Sequence, residues 1–338
     1  MSNRTFPKWA ATLVLVAAAG LTLTACGSDS SSGQESNSEA STAGASTVAA
    51  QASAGCSSST SPELVAWDET KTLNVSGTKR TFTIHLPPQY DGSTPTPLVL
   101  NFHGLGSNGG QQMLVSGLTT TADSKNFIAV APNAVGGSWK LPTDANGAFG
   151  EAEYLESLTK YLNKNYCVDT QRVYSMGMSQ GSAMTFILAC APNSRIAAFG
   201  GVGATFYRSA CGKSAPAPII YFHGTADKVV PINGGKTPNT PVGPAMEAME
   251  GWAKHNKCQG SPNEAADKDV TTFSWSECAD DANIIYHRIT DGGHTWPGAD
   301  AAIAGFMELR LGKTTQTISA TDAIWEFFEQ HTLSQRTD

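Results

Sequence analysis

Ser179 sits at the centre of Gly177-Met178-Ser179-Gln180-Gly181, the stretch of the chain best suited to chemistry. A β-forming run, Val173-Tyr174-Ser175-Met176, precedes it, and a helix-forming run, Ser182-Ala183-Met184, follows. A serine on such a strand-to-helix turn holds its hydroxyl out at the top of a sheet. Glycines two residues to either side leave room for the tight backbone crossing. A free serine hydroxyl is a weak nucleophile, so the motif gains meaning only with a base and an orienting acid downstream. Asp227 and His294 follow in that order. The imidazole would take the serine proton and return it to a leaving group. The carboxylate would fix the imidazole tautomer and stabilise the imidazolium. In a chain with 33 glycines the pentapeptide alone is weak, and the bland alternative makes Ser179 an ordinary helix cap.

Three further segments complete the constellation. Phe102-His103-Gly104-Leu105-Gly106 ends an apolar run, and a loop there can offer a backbone N–H to an oxyanion. Leu105 is the candidate for that donor, and Gln180, directly after the serine, for the second. His103 reads as a structural histidine, because such a loop contributes amides rather than imidazole. In Phe222-His223-Gly224-Thr225-Ala226-Asp227 a strand ends, glycine turns the chain and the acid sits just beyond. His223 reads as structural too, and an Asp at such a place is often no more than a turn cap. The base lies in Asp291-Gly292-Gly293-His294-Thr295-Trp296-Pro297-Gly298; Asp291 is a weaker candidate acid because it precedes His294 by only three residues. Trp296 and Trp139 are candidates for lining a substrate pocket. No CxxC pair or Cys/His cluster has zinc-site spacing, and neither metal nor cofactor is expected.

These groups need a scaffold that brings strand ends together. Leu98-Val99-Leu100-Asn101-Phe102, Phe127-Ile128-Ala129-Val130-Ala131 and Pro218-Ile219-Ile220-Tyr221-Phe222 are apolar runs of the kind buried in a parallel sheet. Residues 81–86 alternate as a half-exposed strand does, residues 172–175 and 196–199 add two strands, and residues 284–289 form the last central one. Helical spacing of apolar residues falls between them at 151–163, 182–189, 245–255 and 320–330. Strands alternating with helices predict an α/β domain, a mostly parallel sheet covered on both faces.

The N-terminus speaks to location. Arg4 and Lys8 precede an uncharged, mostly apolar stretch from 9 to 25, which suits a signal h-region better than a membrane span. Leu23-Thr24-Ala25-Cys26-Gly27 resembles a bacterial lipobox, with Cys26 as the lipidated residue; a plain secretory signal is the alternative. Residues 27–55 are rich in Ser, Ala, Gly, Thr and Gln and read as a flexible tether. The expected organisation is a signal at 1–25, a lipidated tether at 26–61 and a catalytic domain at 62–338. The protein would be extracellular, either anchored to the membrane through its lipid or secreted, and monomeric. The net charge of -7 becomes -9 once the two cations of residues 1–25 are removed, which argues against nucleic acid as a partner. Apart from Cys26 there are six cysteines, an even number in an exported chain. Six cysteines allow 15 connectivities; Cys56–Cys167, Cys190–Cys211 and Cys258–Cys278 is the preferred set.

From Lys79 to the last helical segment the chain resembles the polyhydroxybutyrate depolymerase and feruloyl esterase family of α/β-hydrolases, which includes lipoproteins of actinobacteria. The matching residues are His103-Gly104, Ala122-Asp123, Val130-Ala131-Pro132, Cys167-Val168-Asp169, Arg172-Val173-Tyr174, Gly177 to Gly181, Ala189-Cys190, His223 to Asp227 and Gly293 to Gly298. The resemblance implies an α/β-hydrolase fold and hydrolysis of carboxylic esters through an acyl-enzyme, without a cofactor. It leaves open short-chain, feruloyl or acetyl, and hydroxyalkanoate esters. Only 44 residues (338 minus 294) follow His294, so no appended polymer-binding module is expected and soluble or cell-surface esters are preferred. The competing readings are a serine peptidase of the same fold and a non-catalytic surface-binding lipoprotein.

Overall fold

Uncharged runs rich in Val, Ile and Phe must be covered on both faces, and here they form the middle of one sheet. The computed structural model describes residues 48–57, 69–141, 150–206, 211, 213–237 and 241–336. The described strands are β1 (Glu69–Val75), β2 (Thr78–His85), β3 (Thr96–Phe102), β4 (Ile128–Pro132), β5 (Val168–Met178), β6 (Ala198–Val202), β7 (Ile219–Gly224), β8 (Asn233–Lys236), β9 (Pro241–Pro244), β10 (Asn263–Asp267), β11 (Val270–Trp275) and β12 (Ile284–Ile289). Ten of them form one sheet in the order β1-β2-β4-β3-β5-β6-β7-β12-β11-β10, and β8 pairs with β9 apart from it. From β4 through β3, β5, β6 and β7 to β12 every pairing is parallel. The two edges, β1-β2 and β11-β10, are antiparallel.

The described helices are α1 (Gly109–Ser116), α2 (Leu118–Lys125), α3 (Ala152–Asn165), α4 (Gln180–Ala189), α5 (Ala245–His255), α6 (Ala301–Leu311) and α7 (Ala320–Phe328). The apolar side chains of α3, α4 and α5, among them Leu158, Phe186 and Trp252, pack on one face of the sheet. Those of α1, α2, α6 and α7 cover the other, where Trp325 stacks on Phe127 at 4.2 Å and Phe328 on Tyr174 at 4.8 Å. The expected α/β architecture is therefore present. Periodicity does not announce α1 or α2, whose sequences open on Gly-Gly and run through three threonines. They form because Asn108 caps α1 through Gln111 N–H and because their apolar residues meet the sheet. β10 is exposed along its whole length and carries no apolar alternation, so only its pairing with β11 makes it a strand.

The signal segment and Cys26 lie outside the described residues. The stretch from 51 to 57, which its composition assigns to the tether, is bound to the domain. Ser53 N–H donates to Val168 O at 2.9 Å, Thr170 N–H donates to Gln51 O at 2.9 Å, and Cys56 is bonded to Cys167. Small residues serve close approach here: a Cβ on Gly55 would lie 2.1 Å from Tyr166 O. The other two disulfides are Cys190–Cys211 and Cys258–Cys278, so all three pairs are those preferred from the sequence. Among the described residues no helix is long and apolar enough to cross a membrane.

Two predictions follow from this packing. Cys258 and Cys278 stand 20 residues apart, and closing such a loop stabilises by roughly 3 kcal/mol in the chain-entropy model. The Cys258→Ala/Cys278→Ala variant should lose about that much in urea denaturation, and an unchanged midpoint would contradict it. Burial also pushes the His287 and His331 imidazoles from 6.5 down to about 4. Both are therefore neutral in the fold at pH values where the unfolded chain takes up their protons. Stability should then decline as pH falls from about 6.5 towards 4, on the order of 2–3 kcal/mol for each group at the acid end. Melting temperatures measured across that window should fall, and His331→Gln should flatten the decline.

Candidate active site

β5 runs directly into Ser179, whose φ of 55° and ψ of −119° lie where a residue with a side chain is strained. Such a conformation costs about 1–3 kcal/mol and persists only where its surroundings enforce it. The enforcement is visible. Ser179 N–H donates to Val202 O on β6 at 2.8 Å, and its carbonyl accepts the first α4 bond from Ala183 N–H at 3.0 Å. The two motif glycines are demanded by contact: a Cβ on Gly177 would lie 2.6 Å from the Gly181 carbonyl, and one on Gly181 would lie 2.0 Å from Phe102 O. Ser179 stands at the N-cap position of α4, yet its side chain makes no capping bond. Ser179 therefore caps α4 by position and not through its hydroxyl, and the residue is half-buried.

Asp227 and His294 meet. His294 Nδ1–H donates to Asp227 Oδ2 at 2.6 Å, with the two residues only 4% and 6% exposed. Nε2 is then the nitrogen free to accept a proton. The pair lies against Gly203, the residue after Val202. A Cβ there would come within 3.0 Å of His294 Cε1 and 3.8 Å of Asp227 Oδ2. The end of β6 is thus common ground, holding the Ser179 amide through Val202 and the acid–base pair through Gly203. On the other side of the serine, a Cβ on Gly104 would lie 3.4 Å from Ser179 Cβ. The loops that carry Asp227 and His294 are laced together. Thr225 N–H donates to Ile289 O and Ala226 N–H to Gly292 O, while His294 N–H reaches Leu311 O at 2.7 Å.

Asp227 uses its two oxygens differently. Oδ1 accepts Val229 N–H and Val230 N–H, each at 2.8 Å, while Oδ2 faces His294. Burial alone would raise this carboxyl's pKa. Hydrogen bonds from His223 and His294, with the attraction to His294, outweigh it and hold the group well below the usual carboxylate range. Asp291 is exposed and offers its N–H to Thr225 Oγ1; none of its contacts is to His294.

His103 is fully buried and shapes the loop beside the serine. Its Nε2 accepts Ala134 N–H at 3.0 Å, so Nδ1 carries the hydrogen and donates to Gly104 O at 2.7 Å. Burial pushes its pKa down, which keeps it neutral. This is the structural role expected for it. Gly106 N–H goes to Gly137 O and Ser107 N–H to Gly104 O. Among the described residues the Leu105 amide meets no acceptor, and the Gln180 amide is at the unpaired first turn of α4. Gln180 directly follows Ser179, and Leu105 follows Gly104, whose added Cβ would lie 3.4 Å from Ser179 Cβ.

Both tryptophans differ from expectation. Trp296 is fully buried in the core under α7, with its indole N–H on Thr321 Oγ1 at 3.0 Å, so it lines no pocket. Its place in a glycine-flanked loop suggested exposure; the loop instead folds inward. Trp139 is buried as well, its indole N–H on His103 O at 2.9 Å and its backbone N–H on Gln180 Oε1 at 3.0 Å. It braces the oxyanion loop. The sequence also gave no signal that His223 contacts the acid, beyond its position four residues before Asp227. No cluster of three metal-ligating side chains occurs among the described residues.

Comparison with known proteins points the same way as the geometry. Residues 80–234 match the family model described as Esterase PHB depolymerase. The probable feruloyl esterase C of Aspergillus terreus is 27% identical over 267 residues, 75% of this chain and 85% of that protein. The feruloyl esterase C of Emericella nidulans is 26% identical over 260 residues, 74% of this chain and 83% of that protein. The solved acetyl xylan esterase from Aspergillus awamori shares the fold with a TM-score of 0.55 at 17% identity, covering 78% of this chain and 99% of that one. A strained serine and a buried imidazole–carboxylate pair, held at the end of one strand of an α/β-hydrolase sheet, agree with these matches: residues 80–234 are similar to the esterase PHB depolymerase family, and the chain is a carboxylic-ester hydrolase.

Proposed function

We propose that this enzyme hydrolyses its esters through an acyl-enzyme on Ser179, with His294 as general base and Asp227 as the acid that orients it. The observation that carries the reading is the 2.6 Å bond from His294 Nδ1–H to Asp227 Oδ2, buried against Gly203, whose neighbour Val202 holds the amide of the strained Ser179. That bond leaves Nε2 as the acceptor. As Ser179 Oγ attacks the ester carbonyl, its proton passes to Nε2 and the imidazolium is stabilised by Asp227. The carbonyl oxygen becomes an oxyanion beside the Leu105 and Gln180 amides. Collapse expels the alcohol, which takes the proton from Nε2. Water then repeats the sequence on the acyl group and restores the serine.

For substrate we favour feruloyl or acetyl esters linked to polysaccharide, in line with the named relatives, over hydroxyalkanoate polyester. Exposed apolar residues occur on the loops about the serine: Leu105 is 52% exposed, and Val135 and Val229 are exposed as well. Such a rim suits an aromatic or alkyl acyl group. Three disulfides favour an exported enzyme, and we infer Cys26 as the residue that bears a lipid.

Turnover of p-nitrophenyl acetate, butyrate and ferulate, with methyl ferulate and a hydroxybutyrate oligomer, tests activity and substrate together. Ferulate esters should give the highest kcat/KM; a preference for the hydroxybutyrate oligomer would overturn the substrate assignment. Ser179→Ala should lower turnover by on the order of 10⁶ with an unchanged circular dichroism spectrum. A variant keeping a tenth of the activity would remove Ser179 from the mechanism.

The assignment of the acid is tested separately. Asp227→Asn should lower kcat by about 10⁴, because the amide favours the wrong imidazole tautomer, whereas Asp291→Asn should turn over normally. The reverse pattern would make Asp291 the acid.

A further inference from the structure

Asp227 Oδ2 faces two imidazoles, of which the mechanism above uses one. His223, on β7, places Nε2 3.3 Å from Asp227 Oδ2 and 2.9 Å from Val230 O. A carbonyl only accepts, so Nε2 carries the hydrogen: it is bonded to Val230 O and lies against Asp227 Oδ2 as the longer, secondary contact. Nδ1 is then a lone pair, and it accepts the Tyr221 hydroxyl at 2.6 Å. Tyr221 is fully buried, and burial raises its pKa well above the ordinary value, so it remains a donor. These contacts run in one direction: Tyr221 O–H to His223 Nδ1, His223 Nε2–H to Asp227 Oδ2, with His294 Nδ1–H arriving at the same oxygen.

We infer that His223 is a positioning residue for the acid–base pair: by sharing Asp227 Oδ2 with His294, it limits how tightly the carboxylate holds the catalytic imidazole's proton. A carboxylate oxygen that accepts two N–H groups has less density for either. Without the second donor, Asp227 would stabilise the His294 imidazolium more strongly. The base would then hold its proton at higher pH, and the acid limb of the pH–rate profile would move up. The other titratable and charged groups around the pair are Tyr286, stacked on Tyr221 at 5.4 Å, and Arg288, in register with His223 on β12. Lys228 and Asp291, on the two catalytic loops, point to solvent. None of these donates to Asp227, so His223 is the adjustable partner.

The inference rests on the triad reading, and the experiment separates the two. The kcat/KM profile of a non-ionising ester is measured for the unsubstituted enzyme and for His223→Phe, His223→Gln and Tyr221→Phe. His223→Phe should displace the acid limb upward by about half a pH unit or more while KM stays unchanged. Tyr221→Phe should displace it less, in the same direction, because it only weakens the His223 donor. His223→Gln, which can place an amide N–H near the lost Nε2–H, should return the limb towards its original position. A folded His223→Phe enzyme with an unmoved limb would overturn the inference. Long-range ¹H–¹⁵N correlation on the unsubstituted protein needs no variant to fold. His223 bearing its hydrogen on Nε2 is expected, and an Nδ1–H tautomer there would overturn the inference too. Ser179→Ala and Asp227→Asn run alongside. If either retains full turnover, the triad reading falls and the inference with it; if both are inert and the limb is unmoved, only the role of His223 falls.

Discussion

A carboxylate cannot be buried at 6% exposure without donors to replace its water, and the active end of this molecule is arranged around that requirement. Asp227 receives two backbone amides on one oxygen and two imidazoles on the other. Each donor fixes a different piece of chain. The Val229 and Val230 amides set the turn after β7. His294 ties in the loop after β12, and His223 ties the carboxylate to the strand from which it departs. Removing Asp227 would therefore cost more than a catalytic group, since it would leave buried donors facing nothing. Charge and hydrogen bonding serve the fold and the chemistry through the same four contacts.

The strain at Ser179 is sustained by a second constraint, which is steric. Gly177 and Gly181 press the start of α4 against the end of β3 so closely that no Cβ fits at either position. This contact brings the elbow next to the loop whose Leu105 amide is uncommitted. His103, Trp139 and the Gln180 carboxamide then lock that loop from behind. The loop is thus held by buried side chains, so in the proposed mechanism its amides need no reorganisation when charge develops on a substrate.

Legibility in the sequence follows from how local each signal is. Ser179, Asp227 and His294 lie on short segments bounded by glycine, each just beyond an apolar strand, so the strand ends that carry them were readable. The three disulfide pairs were readable because two are short-range closures that leave a single pair over. What the sequence hid was the direction in which side chains turn once a loop folds. Trp296 and Trp139 looked like pocket walls because tryptophans in glycine-rich loops are commonly exposed, but each has an indole N–H partner inside the protein. His223 looked merely structural because its contact with Asp227 depends on how the following turn curls back. Residues 51–57 looked like tether because small residues serve close packing as readily as flexibility.

The distribution of crosslinks completes the physical account. Leu105, Ser179, Asp227 and His294 all follow the carboxyl ends of β3, β5, β7 and β12, the edge where parallel sheets present their ligand sites. The cysteines occupy the opposite edge. Cys167 precedes β5, Cys211 precedes β7 and Cys278 precedes β12, while Cys190 and Cys258 follow the helices that return the chain there. Among the described residues covalent bonds therefore staple the ends at which strands begin, and the opposite ends rely on hydrogen bonds and packing. This division has a mechanical sense. Crosslinks restrict the unfolded chain whichever end they sit on, so they stabilise the domain without constraining the loops that carry Ser179, Asp227 and His294. The proposed chemistry therefore depends on the disulfides only through the stability of the sheet they secure.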